Sequence, residues 1–226
     1  MPPVVTEARF REGRTIEEYL AFIGTPENLA RQNSGGVGSR LDRSAELRTA
    51  CDACELTEDQ HAALEWLAAQ PEAPARILAI VEEWSSDCRR DIPSIARIAE
   101  ALGAELHVFT RDGAQFSDAH VPSLADSPDS NADLTVQFLN EKRGEQWQSI
   151  PVFAFFTAEM RYLYHYSEMP SVFDKDRIVT NQDAVFHDDP AAWTSLLGSP
   201  FFRVWQCAAV DEMVSALHRV ALLGQA

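Results

Sequence analysis

Residues 77–93, "ILAIVEEWSSDCRRDIP", constrain this chain more than any other stretch. Ile77 to Val81 is a continuous apolar run rich in β-branched residues, the pattern of a strand buried on both faces. Such a strand needs helices on either side of its sheet. A helix is expected from about Cys88 to Leu102, stopped by Gly103, and "ELHVFT" then alternates like a second strand. A strand–helix–strand unit of this length makes the two strands parallel, joined by a right-handed crossover.

The flanks are of a different kind. Residues 15–70 read as helices: Thr15-x-x-Glu18 and Thr57-x-x-Gln60 are capping boxes, Gly24 ends the first helix, and Leu56, Ala63, Leu64 and Leu67 give the second an inward face. Between them "RQNSGGVGSR" contains a GGxG. No strand precedes it and no Lys-Ser/Thr follows, so it reads as a plain loop and not a phosphate cradle. After the linker "PEAPAR" and the first two strands comes a long polar, proline-punctuated loop from Arg111. "DLTVQFLN" then reads as a two-turn helix. "PVFAFF" and "RYLYHYS" form a hairpin that adds antiparallel strands, and "FFRVWQCAAVDEMVSALHRVALL" closes the chain as a long amphipathic helix. The expected organisation is a single α/β domain: a helical N-terminal extension (1–74), a mixed central sheet flanked by helices (75–170), and a C-terminal helical cap (171–226).

Composition bounds the function. An apolar fraction of 46% over 226 residues fills a sizeable core, while 19 Lys and Arg against 35 Asp and Glu leave a formal charge of −16. That charge repels nucleic-acid backbones and anionic membranes, so neither is an expected partner. No signal-peptide pattern opens the sequence and no apolar run spans a bilayer, so the expected compartment is the cytoplasm. There, Cys51, Cys54, Cys88 and Cys207 default to thiols.

Four features near the first strand belong together. Trp84 ends it and leads into Ser85-Ser86-Asp87-Cys88. Pro93 follows five residues after Cys88, Ile150-Pro151 opens a later apolar strand, and Arg111-Asp112 closes the second strand. Over residues 76–170 the chain resembles the thioredoxin-like superfamily. There a Cys-x-x-Cys stands where this chain has Ser85 to Cys88, a proline kinks the following helix, and a cis-proline faces the site. Trp84-x-x-Asp87 together with Arg111-Asp112 is similar to a bacterial group with "W-C-G-D" and "R-D" at these places. The resemblance implies a thioredoxin-like fold, a groove shaped by Pro151, and thiol–disulfide chemistry that needs no cofactor or metal.

The residues for that chemistry are incomplete. In the family the attacking thiolate sits at the helix N-terminus, where unpaired N–H groups stabilise it; here that position is Ser85, which cannot form a disulfide and suits an N-cap. Cys88 occupies the resolving position, with Asp87 opposing its ionisation and Arg89 and Arg90 favouring it. The family's buried proton-accepting carboxylate, nine residues before the second cysteine, is Ala79.

Cys51-Asp-Ala-Cys54 has the spacing of a redox pair or half a zinc site, but no second pair completes the latter. Either it is an auxiliary redox pair that exchanges with Cys88, or it is coincidental, since a regular helix holds the two Cα atoms poorly for bridging. Cys207 reads as core, and His107 and His165 as surface or satisfied core residues. Glu82-Glu83 and Asp188-Asp189 read as solvated strand ends and turns. The aromatic cluster Phe153, Phe155, Phe156, Tyr162, Tyr164 and Tyr166 reads as core plus one sheet face.

Two functions follow as expectations. One is a thiol–disulfide redox role through single Cys88, weak or absent as a dithiol reductase, whose partner is a protein or small-molecule thiol or disulfide. The other is a non-catalytic binding protein using the groove around Trp84, Ser85 and Pro151.

Overall fold

A computed structural model describes residues 2–36, 38–142, 144–171 and 200–224. The irregular stretch with Asp188 and Asp189 lies outside the described residues.

The N-terminal third is helical, as its caps dictate. Helices α1 (Glu7–Phe10), α2 (Ile16–Phe22), α3 (Pro26–Leu29), α4 (Ser44–Ala53) and α5 (Glu58–Ala68) precede the first strand. Both capping boxes form. The Thr15 hydroxyl accepts from the Glu18 N–H at 3.2 Å and the Glu18 carboxylate accepts from the Thr15 N–H at 2.8 Å, with Thr57 and Gln60 repeating the arrangement on α5.

Strand β1 (Arg76–Val81), helix α6 (Ser86–Leu102) and strand β2 (Glu105–Thr110) form the parallel unit that the sequence implied. Gly103 ends α6 in the left-handed region at φ 64°. After helix α7 (Ala132–Thr135) come the small hairpin β3 (Asn140–Lys142) and β4 (Glu145–Trp147), and then β5 (Val152–Phe156) and β6 (Tyr162–Ser167). The main sheet is four-stranded and mixed, in the order β2-β1-β5-β6, with β5 antiparallel to both β1 and β6. The two central strands are the unbroken apolar ones, and every residue of β5 is buried.

Helix α8 (Pro200–Leu223) packs on α5, α6 and β6, while α4 and α5 cover the rest of α6. A single hydrophobic core runs through all of this: Tyr19 and Ile23 from α2 and its cap, Ile95 and Ile98 from α6, and Met213 and Leu217 from α8 belong to one cluster. The edge of the sheet at β2 is partly closed, since Arg14 and Val108 exchange backbone hydrogen bonds at 2.9 and 2.7 Å.

Several expectations need adjustment. The helix after β1 begins at Ser86, because Ser85 caps it, and not at Cys88. "DLTVQFLN" gives one α-turn and a 3₁₀ turn over Val136–Phe138, then leaves helical geometry to enter β3. The β3–β4 hairpin carries polar residues without a strand period and turns at Gly144 (φ 79°), so no hydrophobic pattern announced it. Among the described residues no helix is long and apolar enough to cross a membrane.

Candidate functional site

The junction of β1 and α6 holds the residues that the sequence singled out, but it presents few of them. Ser85 is the N-cap of α6: its hydroxyl accepts from the Cys88 N–H at 3.3 Å, and only 8% of the residue is exposed. Cys88 is fully buried, at 0% exposure, and its Sγ accepts from the Glu82 N–H at 3.4 Å. Burial pushes this thiol up to about 12, with the charges of Asp87 and Glu82 adding to the shift against the hydrogen bonds from Ser85 and Glu82.

The arginines expected to favour a thiolate are engaged elsewhere. Arg89 donates to the carbonyls of Glu83 and Trp84, both at 2.9 Å. Arg90 forks onto Asp91 at 2.7 and 2.6 Å, and also bonds Asp87 at 3.1 Å and the Glu168 carbonyl at 3.0 Å. Tyr166 donates to the same Asp91 at 3.0 Å. Ala79 is buried at the centre of β1, paired with Phe153 and Val108.

Ile150-Pro151 is a cis peptide, and Pro151 is buried beside β1 at the start of β5. Trp84 is half-buried. The Arg111 guanidinium lies 5.3 Å from its ring and the Phe116 ring meets it edge-on at 5.6 Å. Of the residues expected to shape a groove, Ser85 and Pro151 are buried and Trp84 is half-exposed, as is the neighbouring Ser86.

What the sequence missed lies directly behind this segment. Glu82 and Glu83, expected to be solvated, are 0% and 1% exposed. They follow directly on β1, where the chain turns into α6, and the arginines of the N-terminal region cover them there. Arg31 bonds Glu82 at 2.8 Å, and Arg40 bonds Glu82 and reaches both oxygens of Glu83 at 3.0 Å. The Asp112 N–H also donates to Glu82 at 2.8 Å, while Arg111 holds the Asp112 carboxylate at 2.9 and 3.1 Å. Three guanidiniums thus face three carboxylates inside the protein. Burial and the Glu82 charge raise the Asp112 carboxyl above its ordinary range. Glu82 thus anchors two arginines and the Asp112 backbone at once. The only sequence signal was the pair of arginines bracketing "RQNSGGVGSR", which nothing tied to "VEEW".

The other cysteines form a second locality. Cys51 lies on α4 and is half-buried; Cys54, the C-cap of that helix, is buried with its Sγ 3.9 Å from Ser94 Oγ. Ser94 is six residues beyond Cys88, about 9 Å along the axis of α6. The geometry thus sets Cys54 apart from Cys88, and the exchange between them considered from sequence has no path here. Cys207, expected in the core, is half-buried on α8. His107 accepts or donates at the Gly13 carbonyl (2.9 Å), and His165 meets the Tyr162 hydroxyl at 2.7 Å, so both are satisfied. Among the described residues no group of three or more His, Cys, Asp or Glu side chains could hold a metal ion.

With this geometry in view, the comparisons with known proteins concern the fold. No family model and no curated protein matches the chain. Among solved structures, it is similar to a protein of unknown function from Pseudomonas aeruginosa, with a TM-score of 0.51 and 13% identity over 95% of this chain and 98% of the other. An HIV epitope scaffold aligns over the same shares at 13% identity and a TM-score of 0.48.

Proposed function

We propose that this is a thioredoxin-like protein whose β1–α6 junction performs no dithiol chemistry and serves instead to bind a partner through the half-exposed Trp84 and Ser86. The sheet order β2-β1-β5-β6, with one parallel pair followed by antiparallel neighbours, supports the fold part of this reading. So do Trp84 at the end of β1, Ser85 capping the next helix, and Pro151 opening the strand beside it.

The observation that carries the functional part is the state of Cys88. A thiol with no exposed surface and a pKa pushed up to about 12 is neither ionised near neutral pH nor reachable by a disulfide. Its place in the core, against the backbone of Glu82, is that of a structural residue. The redox alternative would require Cys88 to come to the surface, which means unseating the N-cap and the end of β1.

Thiol labelling under native conditions, followed by peptide mass spectrometry, tests this. Cys88 is expected to stay unlabelled while the protein is folded and to react once it is unfolded. Labelling of native Cys88 at the rate of a free thiol would overturn the reading and favour the monothiol one. The Ser85→Cys variant tests the placement of the segment: it should form a reducible disulfide with Cys88, and the absence of any such couple would mean that Ser85 does not occupy the first redox position.

A further inference from the structure

A half-buried cysteine, Cys51, borders a cavity between the N-terminal helices and the far half of α6. Helices α2 and α4, residues 96–100 of α6 and the start of β2 enclose about 570 Å³, within the range of small-molecule sites. Its lining combines the apolar Ile16, Leu20 and Leu106 with the charged Glu17, Arg48, Asp52, Arg97 and Glu100. Cys51 is part of the same lining.

Cys54 follows at the C-cap of α4: its φ of −76° is still helical, its ψ of 126° redirects only the chain beyond it, and its N–H closes a turn on the Cys51 carbonyl at 3.3 Å. Residues at the two ends of such a turn have Cα atoms within about 7 Å, overlapping the roughly 4.4–6.8 Å that a disulfide spans. Arg97 fixes this turn by donating to the carbonyls of Cys51 at 2.9 Å and Cys54 at 3.0 Å. The contact of Cys54 with Ser94 is a long one, so rotation of the Cys54 side chain toward Cys51 gives up little.

We infer that Cys51 and Cys54 are a dithiol pair served by this cavity, and that the cavity takes a small amino-acid or peptide disulfide carrying both an ammonium and a carboxylate. The mixed charge of the lining, the Arg48 and Arg97 guanidiniums with the Glu17, Asp52 and Glu100 carboxylates, of which Arg97 and Glu100 pair with each other at 2.7 Å, matches such a zwitterion beside the apolar side chains. Cys51 loses its proton to solvent and attacks one sulfur of the ligand; the ligand's S–S bond breaks, a Cys51–ligand bond forms, and the first small thiol leaves and takes up a proton. Cys54 then loses its proton and attacks Cys51, and the second small thiol leaves in the same way. The protein dithiol is oxidised and one small disulfide is reduced to two thiols. This inference goes beyond the reading of Cys88 and does not depend on it.

The test uses the full chain and three probes: cystine, cystamine, which lacks the carboxylate, and dithiodiglycolate, which lacks the ammonium. With cystine the wild type should yield a Cys51–Cys54 disulfide, the Cys54→Ser variant a trapped cysteinyl adduct on Cys51, and the Cys51→Ser variant neither. Because burial pushes the Cys51 thiol up to about 11, with Cys54 adding to the shift, the rate should climb about tenfold per pH unit between pH 7 and 9. Arg48→Gln should slow cystine by about two- to fivefold, the range of an exposed ion pair, and leave cystamine unchanged. Native Cys51 that forms no adduct in Cys54→Ser, or one-signed disulfides that react as fast as cystine, would overturn the inference. An adduct on Cys88 in the same digests would instead count against the reading of the β1–α6 junction, so the two failures are distinguishable.

Discussion

Arg40 shows how much a single residue decides in this protein. Its guanidinium is buried between Glu82 and Glu83, which it reaches from 42 positions upstream of Glu82. Replacing one partner of a buried ion pair leaves the others as charges without solvent, a penalty of about 3–5 kcal/mol. Arg40→Ala should therefore lower stability by that amount in urea unfolding, whereas Arg11→Ala, which removes an exposed pair with Glu7, should change it by no more than about 1 kcal/mol. Equal effects from the two variants would mean that the Glu82–Glu83 network is solvated. The identity of this network was not legible in the sequence. Two glutamates after an apolar strand look like a strand end meeting water unless the cations that cover them are known, and those come from a distant loop. The role of Ser85 was legible, because an N-cap depends on the residues immediately after it.

Among the elements, the helices were written most plainly. Thr15, Thr57 and Ser85 cap three of them through bonds to backbone N–H groups no more than three residues away, so local sequence suffices. Gly103 ends α6 for an equally local reason: a φ of 64° is open to glycine and costs other residues about 1 kcal/mol or more. A Cβ there would meet no atom within 4 Å, so Gly103→Ala isolates backbone strain from packing. It should cost about 1–2 kcal/mol by thermal or urea unfolding, with thiol labelling unchanged. A neutral result would place Gly103 outside the left-handed region. Strands β1 and β5 were legible from their unbroken apolar runs, but β3 and β4 were not, since two three-residue strands with Trp147 as their one apolar residue have no hydrophobic period to read. The Cys51–Cys54 turn belongs here too: the spacing of three suggested neighbouring positions, and the structure keeps them so at the C-terminal end of α4.

At the scale of the whole molecule, the N-terminal extension is part of the interior. It places Tyr19, Ile23 and Leu47 in the same core as the sheet, and supplies both Arg31 and Arg40 to Glu82. A fragment of residues 75–226 would expose that apolar surface and strand two buried carboxylates without their cations. It is expected to lack the dispersed amide spectrum and the cooperative unfolding of the full chain; a fragment that retained both would mean that the extension is an independent appendage. By itself the sequence determined the α/β class, the parallel β1–α6–β2 unit, the hairpin of β5 and β6, and the caps, because periodicity and capping act over a few residues. The tertiary structure alone decided that Cys88 is sealed in the core, that three arginines and three acids share the space behind it, and that Cys51 opens on a cavity. Burial and charge pairing are set by segments far apart in the chain, and those are the quantities that fix whether a thiol can react.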